Sequence, residues 1–290
     1  MARKLGTFKG TETGLPQKFA DDTVIVSRVG AFSSFTDDDD TSYIIARGSN
    51  SGSTSTWDNN NVLIHSIRIV NTADDASTTS GHPAVVYFYQ DDDTTNANAR
   101  NATNLQFYLA VACTNQDVAC NVLDIEFPIP LLIRKGCRIT SQIAGPIVNI
   151  SYTILNSTTT AEYNSMNQKY LTGASLNSTT ATAIHPNLGT VENDIEIFGG
   201  VCYNRSTTND DYNSGFVTST GESDLRKLTL SANENASGNA GLSGQYSPMF
   251  WPYPVICKAG AKLDCDDSET YLTIFYRERN SQSIDTEGWV

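Results

Sequence analysis

The chain has 290 residues, of which 18% are charged and 9% aromatic, and its formal net charge is −13. That length accommodates two domains or one large one. The acidic balance argues against a nucleic-acid partner, because such binding needs basic surfaces that displace counterions from phosphates. The apolar runs are too short to cross a bilayer, so no membrane partner is expected.

The first 22 residues are predicted to form an extended N-terminal arm. Glycines and a proline interrupt this stretch, and residues 1–20 carry a net charge of +3 against an acidic remainder. A frayed terminus is the alternative interpretation. We expect the arm to dock on a neighbouring subunit through basic and apolar side chains: Arg3, Lys4, Phe8, Lys9, Lys18 and Phe19.

Short β-branched and aromatic runs follow the arm and predict strands. In the third run the side chains of Leu63, His65, Ile67 and Ile69 are expected to share one face, because side chains alternate along a strand. No stretch has the apolar period of a long helix. The predicted strands are Thr23–Val29, Tyr43–Ala46, Val62–Val70, Ala84–Tyr89 and Asn104–Val111.

An internal repeat is the strongest feature of the sequence. Phe127–Tyr152 returns without a gap 124 residues later as Trp251–Tyr276. The prolines predict an edge strand or a crossing between sheets, since proline cannot donate to a central ladder, and the glycine predicts a turn with positive φ. The conserved frame of the repeat is Pro128, Pro130, Gly136 and Tyr152, which recur as Pro252, Pro254, Gly260 and Tyr276.

The second copy is predicted to repeat the order of the first. Ile195–Tyr203 is matched with Val62–Val70, Leu225–Leu230 is matched with Ala84–Tyr89, and Ser206–Glu222 is interpreted as a long loop. A short helix or strand is expected near Glu162–Leu171. The predicted organisation is an arm at 1–22, a first domain at 23–157, a linker at 158–190, a second domain at 191–278 and a tail at 279–290.

The predicted fold class is all-β, with two tandem antiparallel β-sandwich or jelly-roll-like domains and an extended N-terminal arm. Six to eight short strands per copy suit such sandwiches, whereas parallel βαβ units would need crossover helices.

The strand order supports a family resemblance. The segments VLIHSIRIVNT, AVVYFYQ and IEFPIPLLIRKGCRIT, followed by a strand that ends near Tyr152, resemble jelly-roll virion structural proteins of tailed bacteriophages, particularly marine and cyanobacterial phages. The resemblance implies a structural role in a virus particle. It covers about Val62–Tyr152 and, more loosely, Ile195–Tyr276, and it carries no catalytic residue.

Candidate chemistry is weak by comparison. The carboxylates of Asp37–Asp40, Asp91–Asp93 and the cluster Asp264, Asp266 and Asp267 suit Ca²⁺ or Mg²⁺, but none has EF-hand spacing, and solvated loops are expected instead. No Gly-x-Ser-x-Gly elbow accompanies the serines and histidines. The six cysteines are expected to be buried thiols rather than disulfides. We therefore expect no enzyme activity and no cofactor.

The predicted function is a non-enzymatic virion structural protein that acts by oligomeric assembly. Expected partners are other virion proteins and further copies of the chain, within a virion assembled in the host cytoplasm. A decoration, cement, vertex or head-fibre component of the capsid is the first interpretation, and a tail, collar or adaptor protein is an alternative. A further alternative is a host-glycan-binding module with an aromatic platform at Tyr246, Trp251 and Tyr253.

Overall fold

The computed structural model describes residues 16–18, 24–32, 43–45, 60–72, 84–90, 105–111, 121–134, 136–143, 145–156, 166–184, 194–204, 212–218, 226–233, 249–257, 259–268 and 270–279. In these ranges the chain forms seventeen β-strands and a helical turn at 166–169.

The first half of the chain forms two antiparallel sheets. Sheet 1 has the order β1-β2-β9-β4-β7 and sheet 2 has the order β3-β8-β5-β6. Together they make sandwich 1. Its strands are β1 Pro16–Lys18, β2 Val24–Phe32, β3 Tyr43–Ile45, β4 Asn60–Asn71, β5 Ala84–Gln90, β6 Leu105–Val111, β7 Asn121–Ile133, β8 Cys137–Ser141 and β9 Pro146–Asn156.

The second half forms two further antiparallel sheets. Sheet 3 has the order β10-β17-β12-β15 and sheet 4 has the order β11-β16-β13-β14. Together they make sandwich 2. Its strands are β10 Thr172–Leu176, β11 Thr182–Ala183, β12 Ile195–Asn204, β13 Tyr212–Thr218, β14 Arg226–Asn233, β15 Met249–Cys257, β16 Lys262–Cys265 and β17 Thr270–Glu278.

Strands β2–β9 and β10–β17 follow the same order in space. In each set of eight described strands, one sheet joins the first, eighth, third and sixth, and the other joins the second, seventh, fourth and fifth. Eight antiparallel strands in two packed sheets are the arrangement of a jelly roll. The all-β, sandwich-type prediction is confirmed at this level.

A β-bulge corrects the predicted face of β4. The pairing of β4 with β7 and β9 shifts between Ile64 and Ser66, so His65 is an extra residue. Beyond the bulge the alternation changes phase. Ile67 therefore lies in the core, whereas Leu63, which was assigned to the same face, packs in a separate cluster on the other face of sheet 1.

One strand match between the two copies is wrong. Leu225–Leu230 overlaps β14, whose position in sheet 4 is that of β6 in sheet 2, and not that of Ala84–Tyr89 in β5. The counterpart of β5 is β13, inside the predicted Ser206–Glu222 loop. The segment lacks a strand-like pattern because it includes Gly215, where a Cβ would lie 2.8 Å from the Leu272 side chain.

The predicted linker at 158–190 also needs correction. Strands β10 and β11 lie inside it and pair with β17 and β16 of sandwich 2. Their small and polar residues gave no apolar run. The helical turn at 166–169 agrees with the short element expected near Glu162–Leu171.

The two sandwiches share buried side chains. The core of sandwich 1 contains Phe198, Val201 and Phe275 from sheet 3, while residues such as Ile197 and Ile274 fill a second core inside sandwich 2. Sheet 3 is therefore buried on both of its faces, which joins the two halves into one packed structure.

Candidate assembly surfaces

The prolines of the repeat lie in one wide bulge on each edge strand. In sandwich 1, Glu126 pairs with Ser66 and Leu131 pairs with Ile64, so residues 127–130 of β7 lie opposite one residue of β4. Both Pro128 and Pro130 fall within those four residues. A proline cannot donate a ladder hydrogen bond, and this edge bulge does not require one.

Sandwich 2 repeats this bulge. Val255 pairs with Ile197 and Phe250 pairs with Gly199, which places residues 251–254, including both prolines, opposite Phe198. Since β7 and β15 each end the strand order of sheets 1 and 3, the predicted edge position of the prolines is confirmed.

The turn glycines and closing tyrosines of the repeat have matching places. Gly136 and Gly260 have φ values of 87° and 83°, a region that side-chain-bearing residues rarely adopt, so the predicted turn geometry is confirmed. Tyr152 and Tyr276 pair with the residues just before each bulge. The Tyr276 hydroxyl donates to the Ile184 carbonyl at 3.4 Å, and burial raises its pKa.

Aromatic rings from sheet 3 enter sandwich 1. The Phe275 ring is fully buried, with ring centroids 4.9 Å from Phe127 and 5.8 Å from Phe107 in edge-to-face geometry. Phe250 stacks on Phe275 at 5.8 Å. These contacts close the end of sandwich 1 where β6 and β7 are the edge strands.

Hydroxyl groups of sheet 3 form hydrogen bonds with the backbone of Tyr108 on the edge strand β6. The Tyr108 N–H donates to Ser175 Oγ at 3.0 Å, and Thr273 Oγ1 donates to the Tyr108 carbonyl at 2.6 Å. The two hydroxyl oxygens lie 2.8 Å apart. Buried edge groups of a sheet need such partners, and side chains provide them here.

A short parallel contact joins β7 to the chain that enters β10. The Leu171 N–H donates to the Pro130 carbonyl at 3.0 Å, and the Leu132 N–H donates to the Leu171 carbonyl at 2.8 Å. Thus two outward backbone groups of β7 are paired with the segment between the sandwiches.

A series of hydrogen bonds between side chains also joins the two sandwiches. Arg134 Nη2 donates to Asn167 Oδ1 at 2.6 Å, and Asn167 Nδ2 donates to Glu278 Oε1 at 3.0 Å. Asn167, in the helical turn, therefore connects the end of β7 with the end of β17.

The predicted arm is described only at its end. Lys18 belongs to β1, which pairs with β2 of the same chain, Pro16 opposite Val26 and Lys18 opposite Val24. This part of the arm extends its own sheet. The other assigned arm residues, Arg3, Lys4, Phe8, Lys9 and Phe19, lie outside the described ranges.

The proposed glycan platform is not assembled by the residues that are described. Trp251 is half-buried and packs against the core of sandwich 2, whereas the Tyr253 side chain is 83% exposed. Tyr246 lies outside the described ranges. Of the two platform residues that the structure describes, Tyr253 is the one exposed for an aromatic contact.

The acidic cluster that is described makes contacts within its own turn. Asp264 Oδ1 accepts from the Cys265 N–H at 2.9 Å, and the Asp267 carbonyl accepts from the Thr270 N–H at 3.2 Å. The described part of the chain contains no group of three His, Cys, Asp or Glu residues arranged to hold a metal ion. Asp37–Asp40 and Asp91–Asp93 fall outside it.

Histidine and cysteine side chains have structural surroundings. His65 Nε2 lies 2.7 Å from Thr153 Oγ1, and burial lowers the pKa of His65, in agreement with a structural histidine. Burial raises the pKa of Cys265 to about 12, which suppresses the thiolate. The described cysteines that are buried and form no disulfide are Cys137, Cys202, Cys257 and Cys265.

Sequence reasoning missed the residues that join the sandwiches. No role was assigned to Phe198, Phe275, Ser175 and Thr273. The signal was present in β17, whose sequence TYLTIFYRE lacks polar alternation over its first seven residues. Near-continuous apolar runs are typical of strands that are buried on both faces.

No helix within the described ranges is long and apolar enough to cross a membrane. No protein-family model matches the chain, and no curated protein matches it.

Solved structures give weak similarities over most of the chain. The STIV MCP is 9% identical with a TM-score of 0.36, covering 90% of this chain and 99% of its own. Cucumber Leaf Spot Virus gives 12% identity and a TM-score of 0.24, covering 99% and 93%. Cucumber Necrosis Virus gives 10% identity and a TM-score of 0.22, covering 100% and 97%.

Proposed function

We propose that this chain is a non-enzymatic structural component of a virus particle and that it acts through assembly. The observation that carries the proposal is the double burial of sheet 3, whose two faces form the core of sandwich 2 and close the end of sandwich 1. Two jelly rolls fused in this way form a rigid block with several edge strands available for neighbours.

Jelly rolls also occur in lectins and cupins, so the fold alone does not distinguish a structural role from ligand binding or catalysis. The residues inside the sandwiches provide that distinction. A cupin-like activity would need space inside the sandwich for ligands and substrate. The interiors here are filled by large apolar side chains such as Ile64, Phe88 and Leu109 in sandwich 1 and Ile197 and Ile274 in sandwich 2. This packing favours a structural role.

The finer assignment follows the resemblance to virion proteins of tailed bacteriophages. Within it, the two sandwiches are tandem jelly-roll domains produced by duplication, and the protein is a decoration, cement, vertex or head-fibre component that forms a homo-oligomer. A tail, collar or adaptor position is the alternative. The acidic surface supports solubility before assembly.

Mass spectrometry and immunogold labelling of purified particles test the proposal. We expect the chain to co-purify with particles at a fixed ratio to the other structural proteins and to be labelled at a regular position. Abundant chain in the lysate with none on purified particles would contradict the proposed function.

The arm has its own test. Deleting residues 1–15 leaves β1 in place on β2, so we expect an unchanged circular dichroism spectrum and melting temperature but loss of incorporation into particles. A full-length variant with Arg3, Lys4 and Lys9 changed to Gln separates the contribution of charge from that of chain length. Normal incorporation of the deletion variant would contradict the docking role of the arm.

Host-glycan binding is the second candidate, and the exposure of Tyr253 is the observation that favours it. Purified protein on a glycan array should then bind, and Tyr253→Ala should abolish binding without a change in stability. Trp251→Ala should also lower stability because Trp251 packs against a core. A silent array would leave the assembly role as the better account.

A further inference from the structure

The edge strand β15 exposes apolar side chains at positions where the edge strand β7 buries them. The repeat places Ile125 and Leu132 of β7 at the positions of Met249 and Ile256 of β15. Ile125 and Leu132 are 2% and 4% exposed, whereas Met249 and Ile256 are 48% and 41% exposed. Both copies thus keep large apolar residues, but only the first copy covers them.

A third pair of positions follows the same rule. Ile129 of β7 is partly buried and packs against the core of sandwich 1. Its counterpart Tyr253 on β15 is 83% exposed. A single exposed apolar side chain needs no explanation, but three at positions that are covered in the other copy indicate a surface that meets a partner.

The cover on Leu132 comes from the chain that leads into β10, whereas Ile125 and Ile129 pack in the core of sandwich 1. Met166 and Leu63 pack with Leu132 in one apolar cluster, and Leu171 pairs with the Pro130 carbonyl and the Leu132 N–H. These contacts use the Leu132 side chain and two outward backbone groups of the edge strand.

The β15 edge presents the same backbone groups. Ile256 pairs with Glu196 in the register in which Leu132 pairs with Leu63, so its N–H faces away from β12, as that of Leu132 faces away from β4. Among the described strands, β15 pairs with β12 alone. An edge of this kind accepts an added extended segment.

We propose that the β15 edge, defined by Met249, Tyr253 and Ile256, is covered by a second copy of this chain in a head-to-tail contact. The segment that covers β7 leads into β10, the first strand of sandwich 2. Its counterpart is the segment that leads into β2, the first strand of sandwich 1, which includes β1 and residues before it. If the contact that occurs within one chain is repeated between two chains, two different surfaces meet, and the interface is heterologous.

This inference rests on the proposed assembly role and names the surface through which the copies meet. Ile256 then has the same function as Leu132, its buried counterpart in β7. The contact within one molecule uses the β7 edge, and the contact between molecules uses the equivalent β15 edge. The two differ in whether the covering segment belongs to the same chain.

Light scattering and sedimentation of the full chain over a range of concentrations test the proposal. Ile256→Lys should weaken self-association at least about tenfold, the effect of removing one buried aliphatic side chain. Val122→Lys is the matched control, because Val122 is also 41% exposed and lies on the edge strand β7. The control should associate like the unmodified chain.

Photocrosslinking identifies the occupant. With p-benzoylphenylalanine in place of Tyr253 and a mixture of ¹⁴N and ¹⁵N chains, we expect mixed-isotope crosslinks to peptides within residues 1–32. Crosslinks within one chain to residues 280–290, equal effects of the two lysine variants, or a monomer at every concentration would overturn the proposal. A monomer that is still found on particles would leave the proposed function standing, whereas an oligomer absent from particles would refute that function alone.

Discussion

Replacing Phe275 with alanine tests whether the two sandwiches form one cooperative unit. The ring is fully buried and lies 4.9 Å from Phe127 and 5.8 Å from both Phe107 and Phe250, measured between ring centroids. Truncating a buried phenylalanine lowers the free energy of unfolding by about 3–5 kcal/mol, and part of this loss is aromatic pairing. Such a loss is a large share of the stability of a typical protein, about 5–15 kcal/mol.

The effect should cross from sandwich 2 to sandwich 1. Phe275 belongs to sheet 3, but its contacts with Phe107 and Phe127 lie in β6 and β7. Urea denaturation followed by circular dichroism gives the loss of stability, and hydrogen exchange with mass spectrometry locates it. We expect faster exchange in β6 and β7 as well as in β17.

The neighbouring residue provides the control. Ile274 is equally buried but faces the core of sandwich 2, so Ile274→Ala should lower stability by about 2–5 kcal/mol and increase exchange mainly in sheets 3 and 4. If Phe275→Ala leaves the protection of β6 and β7 at the level of the unmodified chain, the shared core does not couple the sandwiches and the reasoning is refuted.

Three further predictions concern single side chains. Gly136→Ala and Gly260→Ala, at φ of 87° and 83°, should each lower the free energy of unfolding by about 1–2 kcal/mol; an unchanged urea midpoint would contradict the turn assignment. Burial lowers the pKa of His65 below 6.5, so the unfolded chain binds the proton more tightly and stability should fall as pH drops through 6.5 towards the lower folded pKa. The slope of stability against pH should flatten in His65→Gln, and an equal slope would exclude His65 as its source. Because burial raises the pKa of Cys265 to about 12, its alkylation near pH 8 should be at least about 100-fold slower in the native protein than in urea, as measured by peptide mass spectrometry; equal rates would show that the thiol is accessible.

The repeat could be recognised from the sequence because its conserved residues are required by backbone geometry. Pro128, Pro130 and Gly136 and their counterparts occupy an edge bulge and a positive-φ turn, and only a few residue types fit such positions. The strands next to the repeat, with long β-branched runs, were also predicted close to their observed bounds.

Other strands escaped prediction because tertiary packing selects their residues. In β13, Gly215 is required by the closeness of Leu272, and in β10, Gly173 lies against Phe107, where a Cβ would be 2.7 Å from the ring. Glycine and small polar residues lower intrinsic strand propensity, so these segments were interpreted as loop and linker. These segments form strands because they pair with neighbouring strands, and not because their own residues favour the β conformation.

The sequence by itself determined the all-β class, the 124-residue repeat and the turn and edge positions of its frame, since each follows from local backbone preferences and side-chain alternation. Only the tertiary structure decided that sheet 3 is buried on both faces, that Leu63 and Ile67 lie on opposite faces of sheet 1, and that β15 exposes the apolar positions that β7 covers. Those facts depend on which surfaces pack against each other. Burial of apolar area is not directional, so a local sequence pattern does not specify the surface against which it packs.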